Sequence, residues 1–171
     1  MRSTEDVYRA RDILWRCEVE MLDPTPLSAD APLRTQLYPY QDIPHPIEIP
    51  SNYDKIPVEQ IYMTSSEPIG TILRLPMIYG PHDPLMRFFP YLKRMDEGRP
   101  AIVLEEQIAH WQSSYGYVEN VAYAIALAVT DSRAQHRIYN VAESTALSQG
   151  DFIRAIAQAA GWLGRVVEVP Q

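Results

Sequence analysis

From residue 51 onward, apolar stretches with a helical period alternate with short β-branched runs, the order in which a series of βαβ units is written. Strands are predicted at "TILRL" (71–75), "AIVL" (101–104), "RIYNV" (137–141) and "VVEV" (166–169). Between them, "PLMRFFPYLKRMDEG" (84–98), "VENVAYAIALAVTD" (118–131) and "SQGDFIRAIAQAAG" (148–161) carry the helical pattern. The last has clear end signals. Ser148 can accept from the backbone near Asp151, Phe152, Ile153, Ile156 and Ala160 keep the period, and Gly161 sits where a C-terminal glycine belongs. The pattern is that of an α/β fold with a parallel sheet.

The first fifty residues read differently. "TEDVYRARDILWRCEVEML" spaces Val7, Ile13, Leu14, Cys17 and Met21 helically, with Thr4 as N-cap and Glu5 and Asp6 in the first turn. Residues 23–50 then hold seven of the fifteen prolines, each of which removes a donor and pushes its predecessor toward extended backbone. A segment of this length without regular structure is expected to lie over the fold as a loop. The division is therefore 1–50, a helix and a Pro-rich loop, and 51–171, an α/β region, the whole forming one compact unit.

Composition narrows the partners. Fifteen Lys and Arg against 22 Asp and Glu give a formal charge of −7 with no basic stripe, which disfavours nucleic acid. The one cysteine, Cys17, cannot close an internal disulfide, and a reducing cytoplasm fits it. No apolar run approaches the roughly 20 residues of a membrane helix, so no membrane partner is expected. The histidines at 45, 82, 110 and 136 show no i,i+2 or i,i+4 pairing, and no metal site is expected.

Several motifs together carry a resemblance. "LRLPMIYGPHDP" contains an Arg-x-x-x-x-Tyr-Gly-Pro run (Arg74, Tyr79, Gly80, Pro81), and Tyr139, Asn140 and Val141 precede a capped helix. With "YGYVENVAYAIALAV", this order resembles the C-terminal portion of NAD-dependent epimerase/dehydratase proteins, the extended short-chain dehydrogenase/reductases, over roughly residues 51–165. The start "STEDVY" resembles the family strand that carries a catalytic hydroxyl four residues before a Val-Tyr tyrosine, which matches Thr4 and Tyr8. The resemblance implies a partial Rossmann-like sheet with the substrate-side region, and places the dinucleotide-binding half upstream of this chain. NAD or NADP is the implied cofactor. Its pyrophosphate needs closely approaching main-chain amides, yet the seven glycines, at 70, 80, 98, 116, 150, 161 and 164, form no cluster. Dinucleotide binding by this chain is accordingly doubtful.

The family also implies a Tyr-x-x-x-Lys pair on one helical face. Anchoring on Glu59, four residues after a lysine, selects Lys55 for catalysis and for the nicotinamide ribose, and sets Ser51 at the tyrosine position. Tyr53 is two residues from Lys55, about 200° away around an ideal helix, so the two would point to opposite sides. Tyr53 could act from a non-helical first turn, or Tyr40 could fold in from the loop. Pro57 favours a helix beginning near itself, with Lys55 outside the first turn. In the plain structural reading, Ser51 or Asp54 caps this helix and Lys55 is a solvated charge.

Other residues have two readings each. Arg74 could contact substrate beyond a strand end, or form a structural ion pair, its commoner use. Pro76, Met77 and Tyr79 match the family segment that passes the nicotinamide and substrate; alternatively they form a turn. Trp111 and Tyr115 could stack on a substrate ring or pack as core aromatics. No Lys or Arg occurs between Arg99 and Arg133, which makes a nucleotide-sugar substrate less expected than the family alone implies. Glu105 and Glu106 read as a solvated acidic turn, and Asn120 as a helix cap.

Two functions follow. The first is an epimerase/dehydratase-like NAD(P)-dependent oxidoreductase fragment acting on a sugar-like or small hydroxyl/carbonyl substrate, weak or inactive as this chain. There Thr4, Tyr53 and Lys55 would be catalytic, Lys55, Pro76 and Met77 would face the cofactor, and Arg74, Tyr79 and Trp111 would face the substrate. The second is a non-catalytic small-molecule or protein-binding module of the same fold. A partial parallel sheet exposes its edge, and self-association through that edge is the physical expectation.

Overall fold

The computed structural model describes residues 4–10, 25–41, 50–67 and 69–170. In chain order its elements are helix α1 (Lys55–Thr64), strands β1 (Ile72–Arg74) and β2 (Met77–Tyr79), helix α2 (Phe89–Asp96), strand β3 (Ala101–Glu105), helix α3 (Glu106–His110), strand β4 (Tyr115–Tyr117), helix α4 (Val118–Thr130), strand β5 (Ile138–Asn140), helix α5 (Gln149–Ala159) and strand β6 (Arg165–Val169). All strand pairings are parallel: β1 with β5, β2 with β4, and β3 with β6. Each of the four predicted strands forms. β2, β4 and the five-residue α3, whose first residue Glu106 belongs to the expected acidic turn, stand outside the β-branched and helical runs that the sequence pattern marks.

The chain divides into two units, Met77–Val118 with Ala142–Gln171, and Arg2–Pro76 with Glu119–Val141. A parallel pair requires a crossover, so each unit is assembled from segments distant in sequence, and proline content does not mark the division.

In the unit built on β1 and β5, the register runs from Ile72↔Ile138 to Arg74↔Asn140. Its core is Val7, Tyr8 and Ile56, with Leu27, Ala31 and Leu33 packed against it. The expected N-terminal helix opens differently: Thr4–Val7 is a 3-10 turn, Tyr8 then bridges antiparallel to Leu33, and α-helix is reached at Arg9 and Ala10. The amide of Arg34 donates to Val7 O at 2.9 Å and that of Arg9 to Pro32 O at 3.0 Å. These bonds hold the described part of the Pro-rich segment against the core, without helix or strand of its own. Residues 11–22 of the predicted helix lie outside the described residues.

Helix α1 starts at Lys55, two residues before the expected start at Pro57. Asp54 caps it from an extended conformation (φ −154°, ψ 137°), its side chain accepting from the Ile56 amide at 2.9 Å. A good cap one residue before Lys55 outweighs the preference of Pro57, which still sits in the first turn, where its missing N–H costs nothing. Helix α4 begins at Val118, so Asn120 lies inside its first turn rather than at the cap. It is apolar nearly all round, yet Val121 is its one buried residue, and Tyr123 and Val129 are 67% and 81% exposed.

In the other unit, Met95, Ile102, Leu104, Ala109, Ile153 and Ala157 form the core. β3 shows period-two burial: Ile102 and Leu104 turn inward and Val103 is 60% exposed. The end signals of α5 act as the sequence indicates. Ser148 Oγ accepts from the Asp151 amide at 3.1 Å, and Gly161 has φ 65°. Gly80, in the Tyr-Gly-Pro run, has φ 136°, and a Cβ there would stand 2.7 Å from Val118 Cγ1. No helix among the described residues is long and apolar enough to cross a membrane.

Candidate functional site

The extended cap residue Asp54 decides how Tyr53 and Lys55 relate. The Tyr53 amide donates to Pro50 O at 2.9 Å, closing a turn before the helix, so helical angles do not apply between positions 53 and 55. The Lys55 ammonium comes to lie 5.3 Å from the centre of the Tyr53 ring, within cation–π range. It is held by Asp6, both of whose carboxylate oxygens accept from Nζ at 3.1 Å. The Tyr40 hydroxyl donates to Asp6 Oδ2 at 3.1 Å, and the Tyr40 and Tyr53 rings lie 6.1 Å apart. Two tyrosines and a lysine thus gather around one buried carboxylate. Ser51 is exposed. Thr4 opens the 3-10 turn that presents Asp6.

The sequence flags Asp6 only as a first-turn acid. Its partner is 49 residues away, and no local signal links them. Tyr40 is the loop tyrosine considered on sequence grounds, and it enters through Asp6 rather than by direct replacement of Ser51.

Two further ion pairs fix the surroundings. Arg74 is 1% exposed, and its Nη2 donates to Glu59 Oε2 at 2.8 Å. Its Nη1 donates to the Tyr8 hydroxyl and to Ala29 O, both at 2.8 Å. Tyr8 in turn donates to Asn140 Oδ1 at 2.5 Å, and Asn140 Nδ2 to Leu27 O at 2.9 Å. Burial works against the Arg74 charge, and Glu59 and Tyr8 outweigh it, leaving its pKa raised. The arginine read as a substrate contact is therefore engaged inside the fold, and Tyr8, matching the family's Val-Tyr tyrosine, is its partner. The second pair is Arg34 with Asp54, whose shortest contact is 2.5 Å. Burial pushes the Asp54 carboxyl up, but hydrogen bonds from Arg34, Tyr38 and Ile56 more than reverse this and hold its pKa below the ordinary value. Pro76 is buried in this unit.

Met77, Tyr79 and Trp111 belong to the other unit. Met77 pairs with Tyr115 and Tyr79 with Tyr117 in the β2–β4 ladder. At its C-terminal end the Tyr79 ring meets Phe88 at 5.2 Å and Phe152 at 5.6 Å, both edge to face. Tyr115 lies 4.6 Å from Phe152 and donates to Gln149 Oε1 at 3.0 Å. Burial raises the pKa of both Tyr79 and Tyr115, with Glu143 adding to the first and Tyr91 to the second. Both hydroxyls stay neutral at physiological pH. Trp111 caps the end of α3 and is 39% exposed, outside this cluster of rings.

The glycines do not provide for a dinucleotide pyrophosphate. A Cβ at Gly70 would meet Tyr62 O at 3.0 Å, one at Gly150 would meet Ala109 O at 3.2 Å, and one at Gly164 would meet the Trp162 ring at 2.1 Å. Gly98 and Gly161 end helices with positive φ. Gly116 lies in β4 two residues before α4 and Gly150 in the first turn of α5, but neither has a second glycine beside it, so no glycine-rich turn leads into a helix as a phosphate cradle would require. These residues therefore do not fit the pyrophosphate, and Lys55 is the one residue that the resemblance sets at a nicotinamide ribose. Among the described residues, no group of three or more His, Cys, Asp or Glu could hold a metal ion.

No family model matches the chain, and no curated protein matches it by sequence. Solved structures do match. A short-chain dehydrogenase/reductase superfamily protein from Agrobacterium tumefaciens, with bound NAD, is 14% identical with a TM-score of 0.63, covering 99% of this chain and 55% of that one. An epimerase from Methanothermobacter thermautotrophicus is 14% identical with a TM-score of 0.60, covering 91% and 45%. A dTDP-glucose 4,6-dehydratase from Streptomyces venezuelae is 18% identical with a TM-score of 0.58, covering 88% and 44%. The chain spans about half the length of the structures it matches. These likenesses establish the fold: a small α/β arrangement of parallel strands shared with part of the extended short-chain dehydrogenase/reductases.

Proposed function

We propose that these 171 residues are the substrate-side, proton-handling part of an epimerase/dehydratase-like NAD(P)-dependent oxidoreductase, weak or inactive as the chain stands. The observation that supports this most directly is the Lys55 ammonium held by Asp6 against Tyr53, with Tyr40 on the same carboxylate. A nicotinamide, where bound, would supply hydride chemistry at a sugar-like or small hydroxyl or carbonyl carbon. The part of this chain is to hold a hydroxyl and move its proton. Tyr53, set against the Lys55 ammonium, is the candidate group to meet that hydroxyl, with Thr4 as the second hydrogen-bonding residue. Pro76 and Met77 are the candidate cofactor-facing residues and Tyr79 and Trp111 the candidate substrate contacts. Arg74 serves as framework within its own unit, paired with Glu59 and Tyr8. The lone Cys17 continues to favour a cytoplasmic setting.

The test separates the ribose from the pyrophosphate. Nicotinamide mononucleotide and NAD are titrated into the 171-residue protein while backbone and tyrosine NMR shifts are followed. The reading expects weak binding of both, equal in strength, with shifts at Tyr53 and Lys55 that Lys55→Met abolishes. No shift at either residue would refute it.

A second reading, a binding module without catalysis, draws support from the exposed apolar positions of α4, Tyr123, Leu127 and Val129. Self-association, expected at a sheet edge, finds better support on that helix. Sedimentation velocity of a Val129→Lys variant beside the wild type distinguishes them: a dimer lost in the variant favours the module.

A further inference from the structure

Strand β3 has one paired edge. Arg165 N–H donates to Pro100 O at 3.1 Å, which starts a parallel ladder in which Ile102 and Leu104 direct their backbone groups toward β6. By the alternation of such a ladder, the N–H and C=O groups of Ala101 and Val103 point the other way, and no other strand among the described residues pairs with β3. A groove of about 840 Å³ runs along Ala101–Leu104 and α2. Its rim carries Lys93, Arg94 and Arg99, all exposed, against one carboxylate, Glu97. Glu97 lies 3.9 Å from Lys93 and 3.4 Å from Arg99, so it is shared between two cations. In a chain of charge −7, this is a local surplus of positive charge beside an open strand edge.

We infer that β3 accepts an extended acidic peptide segment of a partner protein as an added strand. Main-chain bonds to Ala101 and Val103 would supply register, the exposed Val103 side chain an apolar contact, and Lys93, Arg94 and Arg99 the charge selection. A second copy of the same edge does not suit the site, because two cationic rims would face each other. The competing explanation is that the charges only keep the edge from pairing with anything. A small anion would use the cations and have no need of four consecutive strand residues. The inference concerns a different unit from the Lys55 cluster and stands or falls separately from the proposed oxidoreductase role.

The experiment is fluorescence anisotropy with a labelled seven-residue peptide alternating glutamate and valine, added to the whole 171-residue protein at low salt. Saturable binding is expected. It should be at least about tenfold weaker for the same peptide with lysine in place of glutamate, and for a version N-methylated along one edge. The paired substitution Lys93→Gln with Arg99→Gln should weaken it similarly while leaving the circular dichroism spectrum unchanged. The peptide controls require no altered protein, so a misfolded variant cannot obscure the result. Three outcomes would overturn the inference: no binding of the glutamate peptide, equal binding of the lysine peptide, or complete displacement by inorganic pyrophosphate at equal concentration.

Discussion

Lys55 and Asp6 meet through both carboxylate oxygens at 3.1 Å, with the two side chains 18% and 8% exposed. The pair ties the first described turn to the start of α1 and carries the only lysine in the Tyr53 and Tyr40 cluster. Its coupling energy should exceed that of a surface pair. A double-mutant cycle with Asp6→Asn and Lys55→Met, read by urea unfolding, should give about 1–2 kcal/mol. A coupling indistinguishable from zero would show that the pair does not organise the site.

Arg74 should behave as a framework residue. Glu59→Gln or Arg74→Met leaves a buried charge without its partner, and each should cost about 3–5 kcal/mol. The double variant Glu59→Met with Arg74→Met should cost less than the sum of the single ones. Tyr8→Phe leaves Arg74 Nη1 and Asn140 Oδ1 each one partner short, and about 1–3 kcal/mol is expected by chemical denaturation.

Acid should weaken the fold through Asp54. Its carboxyl titrates lower in the folded state than the ordinary value of 3.8, so the unfolded chain binds the proton first as pH falls. The stabilisation is present above pH 3.8 and is lost as pH drops through the lower folded value. Urea midpoints measured from pH 6 to pH 2 should fall in that acid range. Asp54→Asn should lower the midpoint at pH 6 and flatten the acid dependence; an unchanged slope would assign it to other carboxylates.

Gly80 and Gly98 both have positive φ but differ in surroundings. Gly98→Ala meets nothing within 4 Å and should cost about 1 kcal/mol from backbone strain alone. Gly80→Ala adds a Cβ at 2.7 Å from Val118 Cγ1 and 3.1 Å from Tyr117, and should cost about 2–4 kcal/mol. Equal melting temperatures for the two variants would contradict this packing.

What the sequence determined by itself is local. Period-two and period-3.6 patterns locate the strands β1, β3, β5 and β6 and the helices α2, α4 and α5, because burial of one face leaves its mark on neighbouring residues. Ser148 and Gly161 mark the ends of α5 for the same reason: a cap acts within four residues. The proline run of 25–41 reads correctly as irregular, since proline acts on its own backbone. The motif order also led to the α/β fold shared with epimerases and dehydratases.

Tertiary structure decided the rest. The side-by-side placement of Tyr53 and Lys55 depends on Asp54 being extended, and that conformation is fixed by Arg34, 20 residues away. Asp6 selects Lys55, Glu59 and Tyr8 occupy Arg74, and the division into units follows parallel crossovers. In each case the partner is remote in the chain. Electrostatic and hydrogen-bonding energies depend on distance in space, which a one-dimensional pattern does not contain.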